Sequence, residues 1–229
     1  MAKKKDTGNE NLVAVEEALS KTEHFIEENK NLLTGIVVGI AVIVIGLMAY
    51  NRYIKFPKNV EAHSQAFMAE KYFERDSLQL ALYGDNNYPG FEDILDSYKR
   101  TPTGNASELY MGIISYRNGE YEEAIKYMKR YKGKDIFMTA MSYGVIGDCY
   151  MQLEDPDKAL SYYLKAANHD ENKLTTPVFL KKAGMTCELI GEYEKAVEYY
   201  QRIDDYYPET VEGRDIKKYV TRASILSAQ

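Results

Sequence analysis

The stretch Met111-Gly112-Ile113-Ile114-Ser115-Tyr116-Arg117-Asn118-Gly119-Glu120-Tyr121-Glu122-Glu123-Ala124-Ile125-Lys126-Tyr127-Met128 is followed by two variants of itself. The second runs from Ile146-Gly147 through Glu154-Asp155-Pro156 to Ala159 and Tyr162-Tyr163. The third runs from Ala183-Gly184 through Gly191-Glu192-Tyr193 to Ala196 and Tyr199-Tyr200, closing at Tyr207-Pro208. In each copy a Gly precedes an Ala by 12 residues, and the copies lie 35 and 37 residues apart. A period of that length describes a pair of helices, too small to bury its own apolar face and stable only when stacked. The small residue on the first helix admits the second closely, and the Ala does so from the other side. Gly119 and Gly191 fall at the turn, where a positive φ is needed. Tyr121 and Tyr193 are expected to pack over the hairpin, with Tyr127, Tyr163 and Tyr200 filling the space between repeats.

This pattern resembles the tetratricopeptide repeat over about residues 105–208, with departures in individual copies. The large aromatic residue of the early first helix is Glu108 in the first copy and Leu180 in the third, and Glu154 replaces the turn Gly in the second. The fold class is all-α, a short solenoid of helical hairpins. Pro57, Pro89, Pro102, Pro177 and Pro208 mark proposed boundaries, and Pro156 sits just inside a helix start. Upstream, residues 60–104 read as a degenerate helix pair joined by Gly84-Asp85-Asn86-Asn87-Tyr88-Pro89-Gly90, an N-terminal cap. Residues 209–229 read as a C-terminal capping helix.

The resemblance implies a groove lined by the first helices. Its positions are Leu109, Ile113, Tyr116 and Arg117 in the first copy, and Met141, Gly144, Asp148, Met151 and Gln152 in the second. The third copy supplies Val178, Lys181, Met185, Glu188 and Leu189. The set is apolar and contains three Met, a flexible and polarizable side chain suited to varied contacts. Only Arg117 and Lys181 are basic, which argues against capture of a peptide carboxylate. Two readings stay open, a binding groove and an interior filled by these side chains or the cap helix.

Ahead of the repeats, Lys30 and Arg52 bracket 21 residues without a charge, NLLTGIVVGIAVIVIGLMAYN. As a helix that run is roughly 31 Å long, matching a hydrocarbon core of about 30 Å. A signal peptide would want a shorter run and a basic leader. Here the first 30 residues carry seven acids and five Lys, so residues 31–52 read as a retained single-pass transmembrane helix. Gly35, Gly39, Gly46 and Ala49, with Val42, form a small-residue stripe, either a helix-packing surface in the membrane or a chance arrangement. Residues 1–30 read as an amphipathic leader, with Leu12, Val15, Leu19, Thr22, Ile26, Asn29 and Leu33 at helical spacing. It is either a protein-binding or self-paired helix or a solvated one. Phe56 to Asn59 read as a short linker. The basic residues flanking the span leave its orientation ambiguous.

The 229 residues carry a net charge of −6, which argues against a nucleic-acid partner. Two Cys, Cys149 and Cys187, cannot build a disulfide framework, and His24, His63 and His169 are each alone. No catalytic, cofactor-binding or metal constellation is expected, and none of the function classes that need one is favoured.

The whole layout, with Val15-Glu16-Glu17-Ala18-Leu19, the Phe25-Ile26-Glu27-Glu28-Asn29-Lys30 approach to the span and the repeats beyond, is similar to the YfgM-type ancillary subunits of the bacterial Sec translocon. That resemblance implies a single-pass protein of the bacterial inner membrane with a periplasmic C-terminal domain. It also implies the SecYEG translocon, a membrane-anchored periplasmic chaperone and translocating polypeptides as partners. An anchored scaffold for cell-wall synthesis or outer-membrane assembly is the alternative. Apolar groove contacts favour client handling, and charged ones would favour a single folded partner.

Overall fold

A computed structural model describes residues 24–133 and 135–229, and the chain divides into two units, Met1–Pro57 and Lys58–Gln229. Most of the leader expected over residues 1–30 lies outside the described residues. In the first unit, α1 (Lys30–Tyr50) has no buried residue. It is followed by a π-helical turn, Asn51–Lys55, in which the Phe56 N–H donates to the Asn51 carbonyl. The linker expected at 56–59 is helical, because α2 spans Phe56–Glu74. Proline within a helix lacks the N–H and crowds the carbonyl four residues back. The wide turn immediately before Pro57 supplies the local room, so the helical backbone persists where a break was expected.

The second unit continues with α3 (Leu78–Tyr83), α4 (Phe91–Tyr98), α5 (Pro102–Arg117), α6 (Tyr121–Arg130), α7 (Ile136–Gln152) and α8 (Pro156–Ala167). It closes with α9 (Thr176–Leu189), α10 (Tyr193–Tyr206), α11 (Val211–Arg214) and α12 (Ile216–Ser227). Capping side chains set several starts. Thr101, Asp135, Asp155 and Thr210 each accept a hydrogen bond from the backbone N–H three residues on. Such caps satisfy a donor that the helix itself cannot. Pro102 and Pro156 occupy the first turn, where no N–H is missed.

The pairs α5/α6, α7/α8 and α9/α10 are the three hairpins expected from the repeat. Their turns share one geometry. Gly119 N–H donates to Tyr116 O and Glu120 N–H to Ser115 O. Glu154 and Asp155 do the same to Met151 and Tyr150, and Gly191 and Glu192 to Glu188 and Cys187. This is the Schellman pattern, in which the residue after the C-cap needs φ > 0. Gly119 and Gly191 have φ of 81°, and Glu154 adopts 56° without the freedom of glycine.

The same turn occurs a fourth time. Asp76 N–H donates to Phe73 O, Ser77 N–H donates to Tyr72 O, and Asp76 has φ of 58°. The upstream hairpin is therefore α2/α3, turning at Asp76. The segment Gly84 to Gly90, read as the joint of a helix pair, instead separates α3 from α4 through an isolated bridge between Gly84 and Pro89. The sequence carries the signal at the same offsets, since Ala69, Asp76 and Ala81 stand where Gly112, Gly119 and Ala124 stand. Ala69 and Ala81 are both fully buried.

Inside the hairpins the small first-helix residues are notches. A Cβ at Gly112 would meet the Met128 side chain, at Gly147 the Tyr163 ring, and at Gly184 the Tyr200 ring. Tyr163 and Tyr200 thus fill the space within a hairpin, not between repeats. Met128 takes that place in the first copy, while Tyr127 sits one residue away, half-buried against the N-terminal cluster. Contact between successive hairpins comes from pairs such as Phe179 against Gly144. The core is three side-chain clusters in series, one around Phe91, Ile94 and Ile114, one around Met128 and Ile146, and one around Tyr163, Leu180 and Tyr200.

Candidate functional site

The residues assigned to a groove lie on α5, α7 and α9, and their surroundings divide them. Leu109 is 9% exposed and belongs to the middle core cluster. Ile113 and Tyr116 are half-buried on the edge of that cluster. Gly144 is buried against Phe179, and Met151 and Val178 are half-buried against the last cluster. Met141, Met185 and Leu189 are exposed, and so is Gln152, whose carbonyl is 3.5 Å from the Tyr121 hydroxyl. Beside Met141 the N-terminal turn of α7 adds Ile136, Phe137 and Met138, all exposed. Proximity in sequence to Met141 was their signal.

The polar groove positions are already partnered. Asp148 accepts from the Tyr163 hydroxyl at 2.7 Å and from Lys182 Nζ at 2.6 and 2.8 Å. Burial, together with the Asp148 charge and hydrogen bond, pushes the Tyr163 phenol well above its ordinary range. Glu188 pairs with Arg222 on α12, and Arg117 pairs with Asp76 at 2.8 Å. Lys181 stands over the Tyr219 ring at 4.8 Å. Lys182, Tyr163, Arg222, Asp76 and Tyr219 were invisible as partners in the sequence, because each lies a repeat away or on a neighbouring helix. Tyr163 closes its own hairpin on Asp148, and the other groups link one hairpin to the next or to α12. What these pairings leave exposed on α7 and α9 is mostly apolar, Met141, Met185 and Leu189 with Ile136, Phe137 and Met138.

Catalytic chemistry has little to work with. Burial pushes the Cys149 thiol up to about 12 and the Cys187 thiol up to about 11, so neither forms thiolate at neutral pH. Among the described residues no three His, Cys, Asp or Glu side chains converge as metal ligands. Gly35, Gly39, Gly46 and Ala49 are exposed on α1, and nothing stands within 4 Å of a Cβ built at any of the three glycines.

Residues 137–203, from the start of α7 to the end of α10, match the family model of the tetratricopeptide repeat. Copies two and three are thus similar to tetratricopeptide repeats. A TPR repeat-containing protein of Methanocaldococcus jannaschii is 29% identical over 128 residues, which is 56% of this chain and 22% of that protein. The chain thus matches about a fifth of the length of that curated relative. Two solved structures share the fold at 15% sequence identity. The crystal structure of MamA protein has a TM-score of 0.54, covering 73% of this chain and 88% of that one. A Podosopora anserina protein described as a kinesin light chain with nearly identical TPR-like repeats has a TM-score of 0.53, covering 74% and 87%. The tetratricopeptide solenoid is a protein-interaction architecture, and nothing in the repeats shows catalysis.

Proposed function

We propose that this chain is a membrane-anchored tetratricopeptide adaptor, an accessory of the Sec translocation channel that assists handover of secreted chains on the far side of the inner membrane. The observation that carries the anchor is α1. It is 21 residues long, begins at Lys30, carries no other charge and buries none of its residues. Ile36, Val37, Ile43 and Ile45 are each at least half exposed, a surface that water disfavours and hydrocarbon accepts. The apolar face of Met141, Met185 and Leu189 supports binding of unfolded segments over recognition of one charged surface. The Sec-channel assignment, the periplasmic side and a membrane-anchored chaperone as neighbour rest on the resemblance of the overall layout. Anchoring beside the bilayer would raise the effective concentration of the repeats for any chain emerging there.

Affinity purification of the tagged chain from native membranes in mild detergent, read by mass spectrometry, tests this reading. Channel subunits in stoichiometric yield support it. A cell-wall or outer-membrane assembly complex in their place would make the chain an anchored scaffold. Recovery of the chain in the soluble fraction would remove the anchor. Met141→Asp, Met185→Asp and Leu189→Asp together should abolish crosslinking to translocating chains while leaving helical circular dichroism unchanged. Replacing Gly35, Gly39 and Gly46 with Leu tests whether the small-residue stripe packs against a partner helix.

A further inference from the structure

On the side of the second helices, α6, α7, α8 and the connection at 131–133 enclose a cavity of about 330 Å³. Its walls include three lysines, Lys129, Lys132 and Lys165, and three tyrosines, Tyr131, Tyr143 and Tyr162. Elsewhere in the same unit some lysines pair with carboxylates, as in Lys71–Glu74, Lys126–Glu123, Lys158–Asp155 and Lys182–Asp148, and others stand singly. Among the described residues the three cavity lysines form no such pair. Lys129 instead donates to the Tyr150 hydroxyl at 3.3 Å and stands 5.7 Å from the Tyr162 ring centroid, with Lys165 4.4 Å from the same ring. A protein with net charge −6 thus places three lysines without an ion-pair partner among the described residues around one opening, with Asp135 near Tyr131.

An orphaned hydroxyl lies in the same wall. Thr139 is 7% exposed, and its Oγ1 is buried without a hydrogen-bond partner among the described residues. The neighbouring Ser142 hydroxyl is satisfied, donating to the Thr139 carbonyl at 2.8 Å. Gly133 closes over the Thr139 side chain, since a Cβ there would come within 2.5 Å of Thr139 Oγ1 and of the Tyr131 ring. A buried hydroxyl left without a partner is destabilising, and an anion oxygen accepting from it would remove that penalty. Tyr143 and Lys165 also wall a second, open cleft of about 580 Å³ with Ser161, Asn168 and His169. A bound group too large for the cavity can extend there.

We propose that this cavity is an anion site that takes a phosphate or carboxylate group. Lys129 and Lys165 supply the charge, Lys132 adds to it from the rim, and the Thr139 hydroxyl donates to one anion oxygen. The Tyr131, Tyr143 and Tyr162 rings flank whatever carries the group. Charge-assisted hydrogen bonds of this kind are stronger than neutral ones. The site is independent of the apolar face on α7 and α9, and of the anchor.

Isothermal titration calorimetry on the full-length chain in mild detergent tests it, with inorganic phosphate, acetate, phenyl phosphate and benzoate at constant ionic strength. Saturable binding of at least one probe is expected. It should weaken about tenfold in the double variant Lys129→Gln/Lys165→Gln. Thr139→Val should weaken it about threefold, with Thr139→Ser restoring it. Lys217→Gln, remote from the cavity, should change nothing. Helical circular dichroism melts verify that each variant is folded. Preference for inorganic phosphate or acetate identifies a free small anion, and preference for the aromatic probes identifies a group on a larger body. No saturable binding by any probe, or equal binding in the folded double variant, overturns the proposal.

Discussion

The hairpin α2/α3 and the hairpin α7/α8 turn through the same hydrogen bonds but are built from different residues. In α7/α8 the first helix offers Gly147 and the second fills the notch with Tyr163. In α2/α3 the first helix offers Ala69, and the second stops at Tyr83 before any large ring can reach back. The missing volume comes from α4, whose Phe91 and Ile94 are fully buried in the cluster that includes Ala66 and Ala69. Phe91 also stacks on Tyr110 at 4.5 Å. Notch and ring are thus one coupled choice, while the turn is a separate one that tolerates Gly, Asp or Glu.

The largest test of that coupling is Gly147→Ala. The new methyl carbon would lie 2.6 Å from a Tyr163 ring carbon, and a packed ring has little room to retreat. Equilibrium denaturation followed by circular dichroism should show a loss of about 2 kcal/mol. Gly112→Ala should cost far less. Its clash, 2.9 Å from Met128 Cε, is with the end of a flexible side chain, and Ala gains about 1 kcal/mol of helix propensity over Gly. Equal losses at the two sites would break the idea that the ring sets the demand.

The turn gives the next effect. Left-handed backbone costs a Cβ-bearing residue about 1–2 kcal/mol, offset partly by the extra unfolded-state entropy of Gly. Glu154→Gly should therefore stabilise by about 1 kcal/mol, and Gly191→Ala should destabilise by a similar amount, in the same denaturation assay. At the fourth turn, Asp76→Gly should be close to neutral. Aspartate tolerates this region better than glutamate, and the exchange also removes the exposed ion pair to Arg117, worth only a few tenths of a kcal/mol.

A comparable contrast separates the first copy from its neighbours at the early first-helix position. Tyr143 and Leu180 pack there in copies two and three, while copy one has Glu108, 5% exposed with Oε2 unpartnered. Burial raises its carboxyl above the usual range, partly offset by Arg130, Lys99 and Lys126. The folded state then holds a proton that the unfolded state releases, so stability falls as pH rises from the ordinary carboxylate range through the raised one. Glu108→Gln should be more stable than the parent at neutral pH by about 1 kcal/mol, with the gap closing as pH is lowered through that window. A gap independent of pH would show that the site is not titrating. The smallest signal is at the thiols. With Cys149 and Cys187 both buried and raised, alkylation at mildly alkaline pH should be negligible until denaturant is added.

The three regular hairpins were legible in the sequence because Gly112, Gly147 and Gly184 keep a fixed distance to an Ala on the second helix. The fourth turn was not singled out, because Ala69 and Ala81 are ordinary helix residues and Asp76 does not announce a positive φ. Pro57 looked like a break because proline chemistry opposes a regular helix, and only the backbone geometry shows the wider turn that accommodates it. On the candidate face, exposed Met141, Met185 and Leu189 could be named from register alone. Their polar neighbours could not be sorted. Whether Asp148 meets solvent or Lys182 depends on the packing of one hairpin on the next. The lysine cavity was hidden for the same reason, since Lys129 and Lys132 come from one repeat and Lys165 from the next, and they carry no motif.

The three core clusters in series have a mechanical consequence for the repeat unit. When a stack is pulled along its length, each hairpin bears the same load and the weakest junction yields first. The first copy combines a Met in place of a ring at Met128 with the orphaned carboxylate of Glu108. Under tension it is the link expected to part, leaving α7 to α12 intact as a shorter rod.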